Sequence, residues 1–129
     1  MLLRILLIFS FSSLLFAKAQ YEVKKIDDKF VLVSEKNKFQ LKYNGKPKFE
    51  SVTVKDGITI IEYYSGEFGT SEIFKISNRM IINNNNNELI IDAPYKYENQ
   101  ENPKWIIDTK KKKIIISDPN GIDQKKSYQ

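Results

Sequence analysis

Phe49-Glu50-Ser51-Val52-Thr53-Val54-Lys55-Asp56-Gly57-Ile58-Thr59-Ile60-Ile61-Glu62-Tyr63-Tyr64 reads as two alternating segments hinged at Asp56-Gly57. A two-residue turn of this kind requires positive φ at both central positions, which Asp tolerates and Gly adopts freely, and its twist matches that of the strands it joins. The turn sets the pairing: Lys55 faces Ile58, Val54 faces Thr59, Thr53 faces Ile60, Val52 faces Ile61, Ser51 faces Glu62 and Phe49 faces Tyr64. Directly opposed residues share a face. Val52, Val54, Ile61 and Tyr63 therefore form one side, expected to be core. Phe49, Ile58, Ile60 and Tyr64 lie on the other among Ser51, Thr53, Lys55 and Glu62, a half-apolar surface that either another strand covers or a partner recognises.

The same pattern extends in both directions. Short apolar runs at 21–26, 30–34, 39–43, 72–76, 80–82, 88–92, 104–108 and 113–117 are strand candidates, and hardly any stretch follows a 3.6-residue repeat. Turn formers separate them: Asp27-Asp28, Lys36-Asn37, Asn44-Gly45-Lys46-Pro47, Gly66 to Gly69, Ser77-Asn78 and Asp118-Pro119-Asn120-Gly121. The expectation is an all-β domain, an antiparallel meander of about 8–10 strands forming a small barrel or sandwich. Phe30 to Val33, Ile90-Ile91, Ile106-Ile107 and Ile114 to Ile116 are apolar on both faces and suggest double burial or a pairing edge. Asn83 to Asn87 reads as a mobile low-complexity loop.

Residues 1–19 read as a secretory signal peptide, helical while it lasts: Arg4 is the positive start, Ile5 to Phe16 the apolar run, Ala17-Lys18-Ala19 the cleavage site. The apolar run, at 1.5 Å per residue, covers about 18 Å of a hydrocarbon core about 30 Å thick, so cleavage is expected rather than anchoring. The mature chain then begins at Gln20, with one β domain over 20–122 and a disordered polar tail over 123–129. An exported, periplasmic or extracellular address follows. With no cysteine, the domain relies on burial and hydrogen bonds alone.

The whole chain holds 21 basic and 16 acidic residues; loss of Arg4 and Lys18 leaves 19 against 16, a modest +3. Of the 19, only Arg79 is arginine. Arginine is the side chain that forks onto phosphates and guanine edges, so nucleic acid is set aside as a partner. The tetralysine Lys110 to Lys113 is either a solvated hairpin turn or a contact with an anionic envelope surface or acidic partner.

Chemistry is bounded by elimination. Without His or Cys, Ser-His-Asp and Cys-His catalysis, histidine-ligated zinc and thiolate redox are excluded. A convergence of Glu62, Glu67, Glu72 and Asp92, or a Ser-Lys dyad, leaves no signature at fixed spacing, and no enzymatic activity is expected. Asp118-Pro119-Asn120-Gly121 lacks the later ligands of a calcium loop, so neither a metal nor a cofactor is expected.

What remains is binding. The Gly66 to Gly69 loop would present Phe68, and Tyr95 and Tyr97, on one face in a polar setting with Trp105 in support, would suit a protein or a glycan. Candidate binding residues are thus Phe49, Ile58, Ile60, Tyr64, Phe68, Tyr95 and Tyr97. Small cysteine-poor β proteins of the bacterial envelope include lysozyme inhibitors and immunity proteins. Ser65-Gly66 before a loop is similar to the Ser-Gly loop of one inhibitor group, an analogy that rests on two residues, size and compartment. The expected function is an envelope binding protein, inhibitor-like or immunity-like, with a carbohydrate-binding accessory as the alternative.

Overall fold

The computed structural model describes residues 21–129, so the signal peptide expected over 1–19 lies outside the described residues. Ten strands form in chain order: β1 (Glu22–Ile26), β2 (Lys29–Val33), β3 (Lys38–Gln40), β4 (Lys48–Lys55), β5 (Ile58–Phe68), β6 (Phe74–Asn83), β7 (Glu88–Tyr97), β8 (Lys104–Asp108), β9 (Lys113–Ser117) and β10 (Gln124–Ser127). Consecutive strands pair antiparallel throughout, in three separate sheets ordered β1-β2-β3, β4-β5-β6-β7 and β8-β9-β10, none closed into a barrel.

The four-stranded sheet is the middle layer. On one face Ile61, Tyr63, Met80 and Ile82 pack with Leu32, Phe39 and Leu41 of the first sheet and its exit. On the other, Ile58, Ile81, Ile91 and Ala93 pack with Ile114 and Ile116 of the third. Each outer sheet thus covers one face, and two small cores replace the single one that a barrel or two-layer sandwich would have.

The Asp56-Gly57 turn forms with φ of 48° and 83°, and the pairing from Lys55↔Ile58 to Ser51↔Glu62 follows. Beyond Ser51 the expectation fails. The register shifts at Glu50, so Phe49 faces Tyr63 and Lys48 faces Tyr64. An extra residue in one strand turns the following side chain to the opposite face, and Phe49 joins the first core. Val54, expected in the core, is 63% exposed on β4, the edge strand of the middle sheet.

Other expectations are corrected too. Ser77-Asn78 does not break the chain; β6 runs through it with Asn78 buried. Apart from Ile90-Ile91, the runs apolar on both faces lie in the outer sheets, which bury one face only. The tail is not disordered: β10 pairs with β9, and Tyr128 packs on the second core. Asn83 to Asn87 is a bonded turn, in which Thr59 donates to Asn84 at 2.7 Å, Asn83 donates to the Gln129 carbonyl at 2.6 Å and the amide of Asn84 to the Gly57 carbonyl at 3.0 Å.

Candidate functional site

Three polar constellations sit on the middle sheet. The first is buried at Tyr63, Asn78 and Asp92 and reaches the surface at Lys42. Tyr63 donates its hydroxyl to Asp92 Oδ2 at 2.7 Å, Asn78 Nδ2 donates to Asp92 Oδ1 at 3.1 Å, and the Tyr63 oxygen accepts the amide of Lys42 at 3.1 Å. Lys42 Nζ reaches the Asp92 carbonyl at 2.8 Å. Burial pushes the Asp92 carboxyl above its usual range, against the opposing pull of the Tyr63 and Asn78 bonds and the Lys42 ammonium. Burial, then the neighbouring Asp92 charge, pushes the Tyr63 phenol up as well. The cluster satisfies polar groups in a region of β6 and β7 that would otherwise strand them.

A pH dependence follows from this. A carboxyl whose folded pKa is raised binds its proton more tightly in the folded state. Its contribution is therefore fully present below the unfolded value, about 3.9, and is lost as pH rises through the folded value. The urea midpoint of the parent is expected to fall with rising pH across that window relative to Asp92→Asn, which carries no titrating group there. Parallel pH profiles for the two proteins would contradict this assignment.

The second constellation surrounds Arg79. Its Nε and Nη2 donate to Glu62 Oε2 at 3.1 and 2.7 Å, and Ser51 donates to Glu62 Oε1 at 2.9 Å. The guanidinium carbon lies 4.7 Å from the Tyr95 ring centroid and 5.0 Å from that of Trp105, whose indole N–H donates to the Pro94 carbonyl at 2.9 Å. Burial first, then the charges of Glu50 and Glu62, push the Tyr95 phenol up. Both rings thus offer a face to Arg79, an arrangement that clamps the third sheet onto the middle one.

The third is open. Asn44, Gly45 and Lys46 on one side and Gly66, Glu67, Gly69 and Ile73 on the other line a groove of about 420 Å³, with Tyr64 contributing from β5. Its walls are tied together: the Asn44 amide donates to the Ser65 carbonyl at 2.9 Å, Asn44 Nδ2 to the Glu67 carbonyl at 2.6 Å, and Ser65 Oγ to the Lys42 carbonyl. Ile73, 67% exposed, stands at its rim.

Of the seven candidate residues, only Tyr64 reaches this groove. Ile58 is fully buried and Ile60 partly, both under the third sheet, so the surface expected around them is covered. Phe49 packs into the first core, and Phe68 pairs with Phe74 at the end of the middle sheet. Tyr95 and Tyr97 do not form an open pair. The register shift in β7 opposite Ser77 and Asn78 separates them, leaving Tyr97 7% exposed against Phe74, with its hydroxyl donated to Asp118. Ser65-Gly66 is likewise no exposed loop, since Ser65 is buried in the tie between the walls.

Asp92 and Glu62 do not converge. Asp92 pairs with Met80 on the face of the first core, whereas Glu62 pairs with Arg79 on the opposite face. Among the described residues no three His, Cys, Asp or Glu side chains gather as a metal site. Reading the sequence missed Asn44, Lys46, Glu67 and Ile73. Ile73 stood inside the apolar run 72–76 and Glu67 was read only as one of four carboxylates, so neither was distinguished as part of a groove. Comparison of the chain with protein-family models, with curated proteins and with solved structures finds no match in any of the three.

Proposed function

We propose that the chain is an exported binding protein of the cell envelope, inhibitor-like or immunity-like, that holds a segment of a partner protein in the groove between Asn44–Lys46 and Gly66–Ile73. The observation that carries this reading is the pairing of fixed walls with an open rim: two backbone segments bonded to each other, with a phenol, an ammonium, a carboxylate and an exposed isoleucine around the opening. A preformed site loses little conformational freedom on binding, and mixed polar and apolar lining suits a peptide surface. Export is supported by the charge, apolar run and small-x-small ending of residues 1–19. Binding without catalysis is supported by the lack of His and Cys and by the placement of Asp92 and Glu62 on opposite faces of the middle sheet.

The test places a photoreactive amino acid at position 73 and, as a control, at position 36 on the first sheet. The chain is expressed with its leader in its own cells and irradiated. The expected result is a discrete protein adduct from position 73 alone, on a chain whose N-terminus is Gln20. Equal adducts from both positions, or a chain retained inside the cell with residues 1–19 uncut, would overturn the reading.

A further inference from the structure

The excess positive charge is confined to one layer. Residues 21–103 hold 12 basic and 13 acidic side chains, whereas residues 104–129, which build the third sheet, hold seven lysines against Asp108, Asp118 and Asp123. One end of the stack therefore carries +4 and the rest −1. The three carboxylates are already engaged by the chain itself: Asp108 accepts the amides of Lys110 and Lys111, Asp118 accepts Tyr97 and the Asn120 amide, and Asp123 accepts the Asp118 amide. The ion pairs among the described residues join Lys24 to Glu22, Lys75 to Glu98 and Arg79 to Glu62, and none involves these lysines.

Strand alternation sorts the layer into two faces. Trp105, Ile107, Ile114 and Ile116 point to the second core, so Lys104, Ile106, Asp108, Lys113, Ile115 and Ser117 point outward. Ile106, 60% exposed, pairs with Ile115, which pairs in turn with Lys125. At one end the turn carries the exposed Lys110, Lys111 and Lys112; the nearest acid from the middle sheet is Asp56, which accepts the Thr109 hydroxyl at 3.2 Å. The outer face is thus a small aliphatic centre within a basic rim.

We propose that this face docks the protein on an anionic phospholipid surface, with Ile106 and Ile115 entering the headgroup boundary and Lys104, Lys110, Lys111, Lys112 and Lys125 facing the lipid phosphates. Lysines at such a surface strengthen attachment about fivefold each, and a shallow aliphatic centre adds to them. A nucleic acid would instead want forked arginines or stacking aromatics, and this face presents neither. The surface shares no residue with the groove, so the proposal stands whatever the groove binds.

The test is co-sedimentation of the chain with vesicles of mixed phosphatidylglycerol and phosphatidylcholine, and with phosphatidylcholine alone. Every variant keeps the same residues 1–20, so any contribution from that segment is common to all. Binding to the anionic vesicles is expected to fall steeply with salt. The combined change Lys110→Gln, Lys111→Gln, Lys112→Gln should weaken it about a hundredfold, and Ile106→Ser roughly fivefold. Should the turn variant lose its circular dichroism spectrum, Lys104→Gln with Lys125→Gln replaces it, with roughly thirtyfold weakening expected. Equal binding to neutral vesicles, or lysine variants that bind like the parent, would each overturn the proposal.

Discussion

Gly66→Ala is expected to cost at least about 4 kcal/mol, enough to unfold much of the population of a domain of ordinary stability. The cause is local and has no relief. A Cβ at this position would stand 1.9 Å from the Asn44 carbonyl oxygen and 2.9 Å from its carbon, and φ at Gly66 is +127°. The obstacle is backbone, held by the Asn44 to Ser65 hydrogen bond and by the Asn44 side chain on Glu67, so it cannot rotate away as a side chain tip would. Gly45→Ala is the matched control: φ is +93° but nothing lies within 4 Å, so only backbone strain of about 1–2 kcal/mol is expected. Urea denaturation followed by Trp105 fluorescence and far-ultraviolet circular dichroism separates the two. A Gly66→Ala protein within about 1 kcal/mol of the parent would mean that the groove walls do not meet as described.

The same contact explains why the groove was not legible in the sequence. Asn44-Gly45-Lys46-Pro47 and Gly66 to Gly69 each announce a turn, but nothing in either announces the other, and their meeting depends on how the chain leaves β3 and crosses to β4. Local signals did better where one turn fixes one pairing, as from Lys55↔Ile58 to Ser51↔Glu62. They failed at bulges, where a single extra residue at Glu50 or Tyr95 reverses the facing of its neighbours without changing the alternation that a reader counts. They also inverted the layers. Runs apolar on both faces suggested doubly buried central strands or pairing edges, yet β5 and β6, which are covered on both faces, carry Thr59, Glu62, Ser65, Ser77, Asn78 and Arg79. Hydrogen bonding to partners distant in sequence makes those residues tolerable there, and such partners are invisible to periodicity. The tail was misjudged for the related reason that backbone pairing, not apolar side chains, holds β10.

Ile114-Ile115-Ile116 puts the layered arrangement to its sharpest test, because three identical neighbours are assigned different surroundings. Ile114 is fully buried and Ile116 is 1% exposed, both against Ile58, Ile81 and Ile91, while Ile115 faces outward beside Ile106. Ile114→Ala is expected to cost about 3–4 kcal/mol, since it removes buried methyl groups and leaves a hole between two sheets whose backbones cannot close on it. Ile115→Ala, the same chemical change one residue away, should cost less than about 1 kcal/mol, because water already reaches that face. Urea midpoints at matched slopes give both values. An arrangement with β9 in a sheet covered on both faces would make the two substitutions comparable, as would a third sheet that does not dock. Equal losses would therefore remove the cover assigned to Ile58 and Ile60 and return that face of the middle sheet to solvent.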